Sequence, residues 1–315
     1  MRRMLFRGTG VALVTPFKKD GSVDDNKLRE LVEFQISNGT EAILPAGTTG
    51  ESATLSHPEH QHVMEIVLDQ TNRRVPVIVG AGSNSTREAI SLTVHAKSIG
   101  ADGVLSVAPY YNKPTQEGFY RHYAAIAEAV DIPIIVYNVP GRTGANVAAE
   151  TTIRMAEEIP NVYAVKEASG NVPQMMEILR GRPDDFAVYS GDDQFAFTLV
   201  ALGGDGIISV AANEVPKPFT DMIRYALAGD LVNARRLHFK LLPLMNANFI
   251  ESNPIPVKAA LAMMGMIEEV FRLPLVPPME STRAKLKKIL TELELVQVPV
   301  QLPPSMSGAS SRGTR

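Results

Sequence analysis

Lys166 closes the apolar run Val162-Tyr163-Ala164-Val165 and is followed at once by Glu167-Ala168-Ser169-Gly170, which places a long amine where a buried strand gives way to a loop. Apolar neighbours strip hydration from the ammonium form, so its pKa falls from about 10.4 toward neutrality and the free amine becomes able to attack a carbonyl carbon. Amines of this kind form Schiff bases. The competing account is a strand-end lysine whose stem packs and whose head reaches water, and one position does not separate the two.

Other residues bear on the choice. Gly47-Thr48-Thr49-Gly50 either permits a tight turn or presents closely spaced N–H groups and two hydroxyls to a carboxylate. Tyr137 is either a rim aromatic or, beside an amine, a proton shuttle for the dehydration steps of imine formation. Arg142, between glycines, is a solvated charge or a bidentate clamp on a substrate carboxylate, and Tyr110-Tyr111 could simply pack against a neighbouring subunit. His57, His60 and His62 invite a metal, but His62 leaves the helix face that the other two share and no carboxylate is clearly placed with them, so no metal is expected. Gly80-Ala81-Gly82 lacks the third glycine of a dinucleotide fingerprint and no phosphate-binding loop is present, so no cofactor is indicated.

These residues need a scaffold that brings them together. Short β-branched runs recur at Val11–Thr15, Ala42–Leu44, Val77–Gly80, Val104–Val107, Ile134–Tyr137, Val162–Val165, Ala187–Ser190 and Ile207–Val210, with helical spacing of apolar residues between them. The clearest helix start is Ser56-His57-Pro58-Glu59, a capping box with proline in the first turn. Strands without polar alternation are buried on both faces, as in a parallel sheet, and eight such units predict a (β/α)₈ TIM barrel, with a doubly wound open sheet as the alternative. The candidate residues all follow strands, so a barrel would gather them at its carboxyl-terminal rim. Past Gly229 the pattern turns to helices alone, over Leu231–Ala247, Pro256–Met264 and Thr282–Leu295. The expected organisation is a catalytic barrel over 1–229, a helical C-terminal extension over 230–297 and a mobile tail over 298–315.

Bulk composition is that of an ordinary globular protein. The 315 residues are 45% hydrophobic and 21% charged, and a formal charge of −3 leaves no electrostatic footprint for nucleic acid. The absence of cysteine excludes disulfides, thiolate catalysis and sulfur-ligated zinc. Met1-Arg2-Arg3-Met4-Leu5-Phe6 opens like a signal peptide, but Arg7 and Gly8 stop the apolar stretch, so a cytoplasmic location is expected. No apolar segment approaches the roughly 20 residues that span a bilayer.

Taken together, Gly47-Thr48-Thr49-Gly50-Glu51-Ser52, Tyr137-Asn138-Val139-Pro140-Gly141-Arg142-Thr143-Gly144 and Lys166-Glu167-Ala168-Ser169-Gly170 resemble the dihydrodipicolinate synthase and N-acetylneuraminate lyase family of class I aldolases, over about Leu5 to Leu295. The resemblance implies the barrel with its helical extension. It implies that Lys166 forms the imine with pyruvate, that Tyr137 relays protons, and that Thr48 and Tyr111 complete the relay, Tyr111 reaching across a tight dimer. The backbone at Thr48 and Thr49 would hold the pyruvate carboxylate, and Gly191 and Ile208 match positions lining that pocket. Arg142 matches the arginine that grips aspartate 4-semialdehyde. It favours the lysine-biosynthetic branch, whose product is 4-hydroxy-tetrahydrodipicolinate, over sialic acid lyases and sugar-acid aldolases. Ser52, Ala53, His57, His60, Asn84, Glu88 and Tyr110 match positions that bind inhibitory L-lysine at the dimer interface, and family precedent implies a homotetramer of two tight dimers. A non-catalytic sensor of lysine or a keto acid is the rival reading, against which the intact Lys166, Tyr137, Thr48 and Tyr111 stand.

Overall fold

A computed structural model describes residues 4–296. Strand and helix alternate: β1 (Gly8–Ala12), α1 (Asp25–Ser37), β2 (Ala42–Leu44), α2 (His57–Thr71), β3 (Ile78–Gly80), α3 (Thr86–Ser98), β4 (Gly103–Val107), α4 (Gln116–Ala129) and β5 (Ile134–Asn138). After the short α5 (Pro140–Thr143) come α6 (Ala149–Glu158), β6 (Val162–Glu167), α7 (Val172–Gly181), β7 (Ala187–Ser190), α8 (Ala196–Ala201), β8 (Gly206–Ser209) and α9 (Pro216–Leu227). The strands form one parallel sheet in the order β2-β1-β8-β7-β6-β5-β4-β3. Its ends meet, because Ile43 bridges Val77 in parallel and the Gly80 N–H donates to the Pro45 carbonyl at 3.0 Å. The result is the eight-stranded α/β barrel that the sequence predicts, not an open sheet.

The two-residue period of a strand sorts the side chains between two cores. In β5, Ile134 and Val136 pack outward against the helices, whereas Ile135 and Tyr137 belong to the barrel interior with Leu44, Leu105, Ala187 and Ile208. In β6 the register against β5 shifts at Tyr163, so that Tyr163 and Ala164 both face inward; beyond the shift Val165 packs outward and the next inward position falls to Lys166. Phe6 closes the opposite end of the barrel by stacking on Tyr189 at 4.4 Å between centroids and accepting its hydroxyl at 2.6 Å.

Two expected boundaries are corrected. β1 begins at Gly8 rather than Val11 and ends before Thr15, because Gly8 pairs with Gly206 across an approach too close for a side chain: a Cβ on Gly206 would lie 1.9 Å from the Gly8 carbonyl oxygen. β6 runs on through Lys166 and Glu167, so Lys166 is part of the sheet, with Tyr137 as its register partner, and does not begin a loop. The capping box at the start of α2 is formed, Ser56 Oγ accepting from the Glu59 N–H and Glu59 accepting from the Ser56 N–H at 2.9 Å.

Three further helices follow the barrel: α10 (Leu231–Ala247), α11 (Ile255–Met263) and α12 (Glu280–Glu292). Leu237, Leu241, Leu244, Val257 and Leu286 join the same outer core as the barrel helices. The segment 298–315, expected as a tail, lies outside the described residues. No helix among the described residues is long and apolar enough to cross a membrane.

Candidate active site

Lys166 and Tyr137 face each other inside the carboxyl-terminal mouth of the barrel, with the Lys166 Nζ 4.3 Å from the centroid of the phenol ring. Lys166 is only 4% exposed. Burial pushes its pKa down to about 7, Asp193 working against that shift and Arg142 adding to it. Desolvation disfavours the charged ammonium, which is the effect expected of a buried amine beside the Tyr137 ring in a cavity that Ala168 also lines. At pH 7 about half of such amines are free, against roughly 3 in 10,000 for an ordinary lysine. Burial pushes the Tyr137 phenol upward, with the Arg142 charge and a hydrogen bond to Thr48 opposing. The phenol therefore keeps its proton near neutrality and can donate it.

A cavity of about 90 Å³ opens beside the amine, walled by Thr48, Thr49, Tyr137, Arg142, Lys166, Gly191 and Asn253 among others. The loop after β2 supplies its anion-binding side. Within that loop the Gly50, Glu51 and Ser52 N–H groups are spent on Gly47 and Thr48 carbonyls at 3.1–3.2 Å, while those of Gly47, Thr48 and Thr49 meet no acceptor among the described residues. Adjacent unspent N–H groups at the mouth of a low-dielectric pocket suit a carboxylate. Thr49 Oγ1 accepts from Asn253 Nδ2 at 3.0 Å. Arg142 lies exposed at the rim on α5 and donates from Nη2 to the Asn253 carbonyl at 3.1 Å. Gly191 has a steric reason to be glycine: a Cβ there would lie 2.6 Å from the Ala168 Cβ and 3.0 Å from the Lys166 Cε. Ile208 is fully buried in the barrel interior and is not among the residues lining the cavity.

Tyr111 does not join this group within one chain. It is 88% exposed, adopts a φ of +70°, and lines neither this cavity nor the next. A larger cavity of about 580 Å³ shares Thr48, Tyr137 and Arg142 with the first and extends outward over Ser52, Ala53, His57, His60, Glu88 and Tyr110. His57 Nε2 lies 3.2 Å from Glu88 Oε1, and Glu88 also accepts from the Ser83 hydroxyl. Burial lowers His60 to about 4 and keeps it neutral. Asn84 stands apart from that lining, its carbonyl accepting from Asn112 Nδ2 at 2.9 Å. His62 turns elsewhere, to Asp25 at 3.0 Å.

Two residues of the site have no sequence signal of their own. Asp193 lies in the rim loop after β7, fully buried, accepting from the Ala211 and Val210 N–H groups at 2.9 and 3.2 Å, and its charge bears on Lys166. Nothing in Ser190-Gly191-Asp192-Asp193 distinguishes it from Asp192 beforehand. Asn253, just before α11, closes the cavity from a part of the chain that the strand pattern does not connect to the mouth.

The sequence profile of the Dihydrodipicolinate synthetase family matches residues 5–293. A 4-hydroxy-tetrahydrodipicolinate synthase of Chloroherpeton thalassium is 57% identical over 94% of this chain and 98% of its own. Among solved structures, a chloride-inhibited dihydrodipicolinate synthase of Acinetobacter baumannii complexed with pyruvate superposes with a TM-score of 0.91 at 49% identity, covering 92% of this chain and 100% of that one. The dihydrodipicolinate synthase of Cyanidioschyzon merolae with lysine bound gives 0.91 at 43% identity, over 93% of this chain and 100% of the other.

Proposed function

Because the chain belongs to the dihydrodipicolinate synthetase family, we infer that it condenses pyruvate with L-aspartate 4-semialdehyde to 4-hydroxy-tetrahydrodipicolinate through an imine on Lys166. The observation that carries this reading is a buried amine whose pKa sits at about 7, beside a protonated phenol, in a small cavity with unspent backbone N–H groups. The free amine of Lys166 attacks C2 of pyruvate while Thr48 and Thr49 hold the carboxylate. The Tyr137 phenol gives its proton to the carbinolamine hydroxyl, which leaves as water as the iminium forms, and a proton relayed through the Thr48 hydroxyl restores the phenol. Loss of a proton from C3 gives an enamine, whose carbon attacks the aldehyde carbonyl; the resulting alkoxide takes up a proton to become the 4-hydroxyl, and the semialdehyde's own amino group then attacks the imine carbon, closing the ring and releasing Lys166 as the free amine. Arg142, at the rim, takes the carboxylate of the semialdehyde.

Pyruvate with borohydride should trap a reduced adduct on Lys166, read by mass spectrometry, and Lys166→Ala should abolish it. An adduct on a different lysine, or none, overturns the reading. Turnover with aspartate 4-semialdehyde then separates the synthase from a sensor.

The assembly belongs to the same proposal. Tyr111 of the partner subunit completes the relay in a tight dimer, and two such dimers form a tetramer. The support is that Tyr111 is almost wholly exposed and absent from its own chain's mouth. L-lysine binds in the larger cavity, where Glu88 and His57 face its ammonium and carboxylate and Tyr110 adjoins Tyr111. Activity unchanged at saturating lysine would remove that site from the account and leave the enzyme reading standing.

A further inference from the structure

Lys258 of α11 and Glu51 of the loop after β2 form an ion pair in which both side chains are fully buried, and the reaction above uses neither charge. The Lys258 Nζ lies 4.2 Å from the Phe17 ring centroid and 5.3 Å from that of Phe271. The second Glu51 oxygen takes the Arg272 N–H at 3.4 Å. Arg272 is itself fixed, its guanidinium 4.3 Å from the Phe17 centroid and donating to the Gly21 and Thr54 carbonyls and to Glu59. Burying two charges costs more solvation than their attraction reliably returns, so stability alone is a weak reason for such a pair.

Its position supplies a better one. Glu51 adopts a left-handed φ of 53°, which an L side chain disfavours, and its N–H closes the turn onto the Thr48 carbonyl at 3.1 Å. That turn sets the direction of the unspent Thr48 and Thr49 N–H groups. The same C-terminal segment touches the loop a second time, where Asn253 donates to Thr49. A carboxylate gripped from two sides is a directional tether, which an apolar contact of equal volume is not.

We propose that Glu51, Lys258 and Arg272 are positioning residues through which the C-terminal helices hold the Thr48 and Thr49 amides in register for the carboxylate of a 2-keto acid. The proposal rests on the pyruvate reading above. Its test follows borohydride trapping against pyruvate concentration in Lys258→Met and in the charge-free double variant Glu51→Met/Lys258→Met, with thermal melting alongside. The expected result is a half-saturating pyruvate concentration raised about tenfold in both, a maximal trapping rate within threefold of the parent, and a KM for the aldehyde within twofold. The double variant leaves no lone buried charge and should melt close to the parent. A folded double variant with the parent's half-saturation sinks the proposal, and so does failure of both variants to fold, which would make the pair purely structural. If the parent itself traps no pyruvate, the pyruvate reading falls and takes this one with it.

Discussion

Gly191→Ala tests how the reactive amine is held. The φ of Gly191 is outside the left-handed region, so alanine meets no backbone penalty and the effect is steric. The added methyl would lie 2.6 Å from the Ala168 Cβ, 3.0 Å from the Lys166 Cε and 3.1 Å from its Cγ. Carbon contacts settle at roughly 3.5–4.0 Å, so Ala168 must yield by about 1 Å and the lysine stem by about half an ångström. Overpacking of this kind costs about 1–3 kcal/mol, a melting point lower by several degrees in a domain this size, and the protein should remain folded. The reacting nitrogen pays more heavily. A misplacement of about 1 Å costs on the order of 100-fold in rate, so a shift about half as large should slow adduct formation by about 10-fold or more. The assay is stopped-time borohydride trapping at saturating pyruvate, with circular dichroism as the folding control. A folded variant that traps within twofold of the parent rate would refute the claim that Gly191 seats Lys166.

The pH dependence has a defined sign. Adduct formation needs the neutral amine, so its rate should rise with pH through a midpoint of about 7 and level off above it; a midpoint near 10 would mean that Lys166 is not desolvated as described. Asp193 favours the ammonium form, so Asp193→Asn should move that midpoint to lower pH, and an upward move would exclude it as the counter-charge. Arg142 acts in the opposite sense on the amine and lines both the cavity beside it and the larger outer one. Arg142→Ala should therefore raise the midpoint slightly and, on the proposed role toward the semialdehyde, cut kcat/KM for aspartate 4-semialdehyde by about 1.5–3 kcal/mol, on the order of 10- to 100-fold, the range for a lost charged hydrogen bond; semialdehyde use at the parent level would defeat the assignment.

Local chemistry explains what could be read from the chain without coordinates. Continuous apolar runs with turn residues after them marked β2 and β7 at the observed bounds, and helical periodicity marked α10 from Leu231 to Ala247, because both signals depend only on neighbours along the chain. The capping box of α2 was legible for the same reason. Lys166 stood out because a long charged side chain ending an apolar run is locally anomalous, whereas Tyr137, an aromatic at a strand end, gained its reading only from the three motifs taken together. β1 was displaced because Gly8 and Gly10 carry no strand signal, and what makes them strand is the close approach of Gly206 from the far end of the barrel.

The one-dimensional pattern thus determined the repeating strand and helix units, the polar loops that follow the strands, and the lysine that ends one of the apolar runs, since periodicity and burial of strands are properties of short segments. Tertiary structure alone decided that the sheet closes into a barrel, that β6 continues through Lys166 and faces it inward onto Tyr137, that Asp193 supplies the nearby charge, and that Asn253 before α11 and Lys258 within it reach Thr49 and Glu51. These contacts join residues up to 207 positions apart. Their strength depends on exclusion of water from a pocket that exists only once the chain has closed, and no stretch of sequence encodes that on its own.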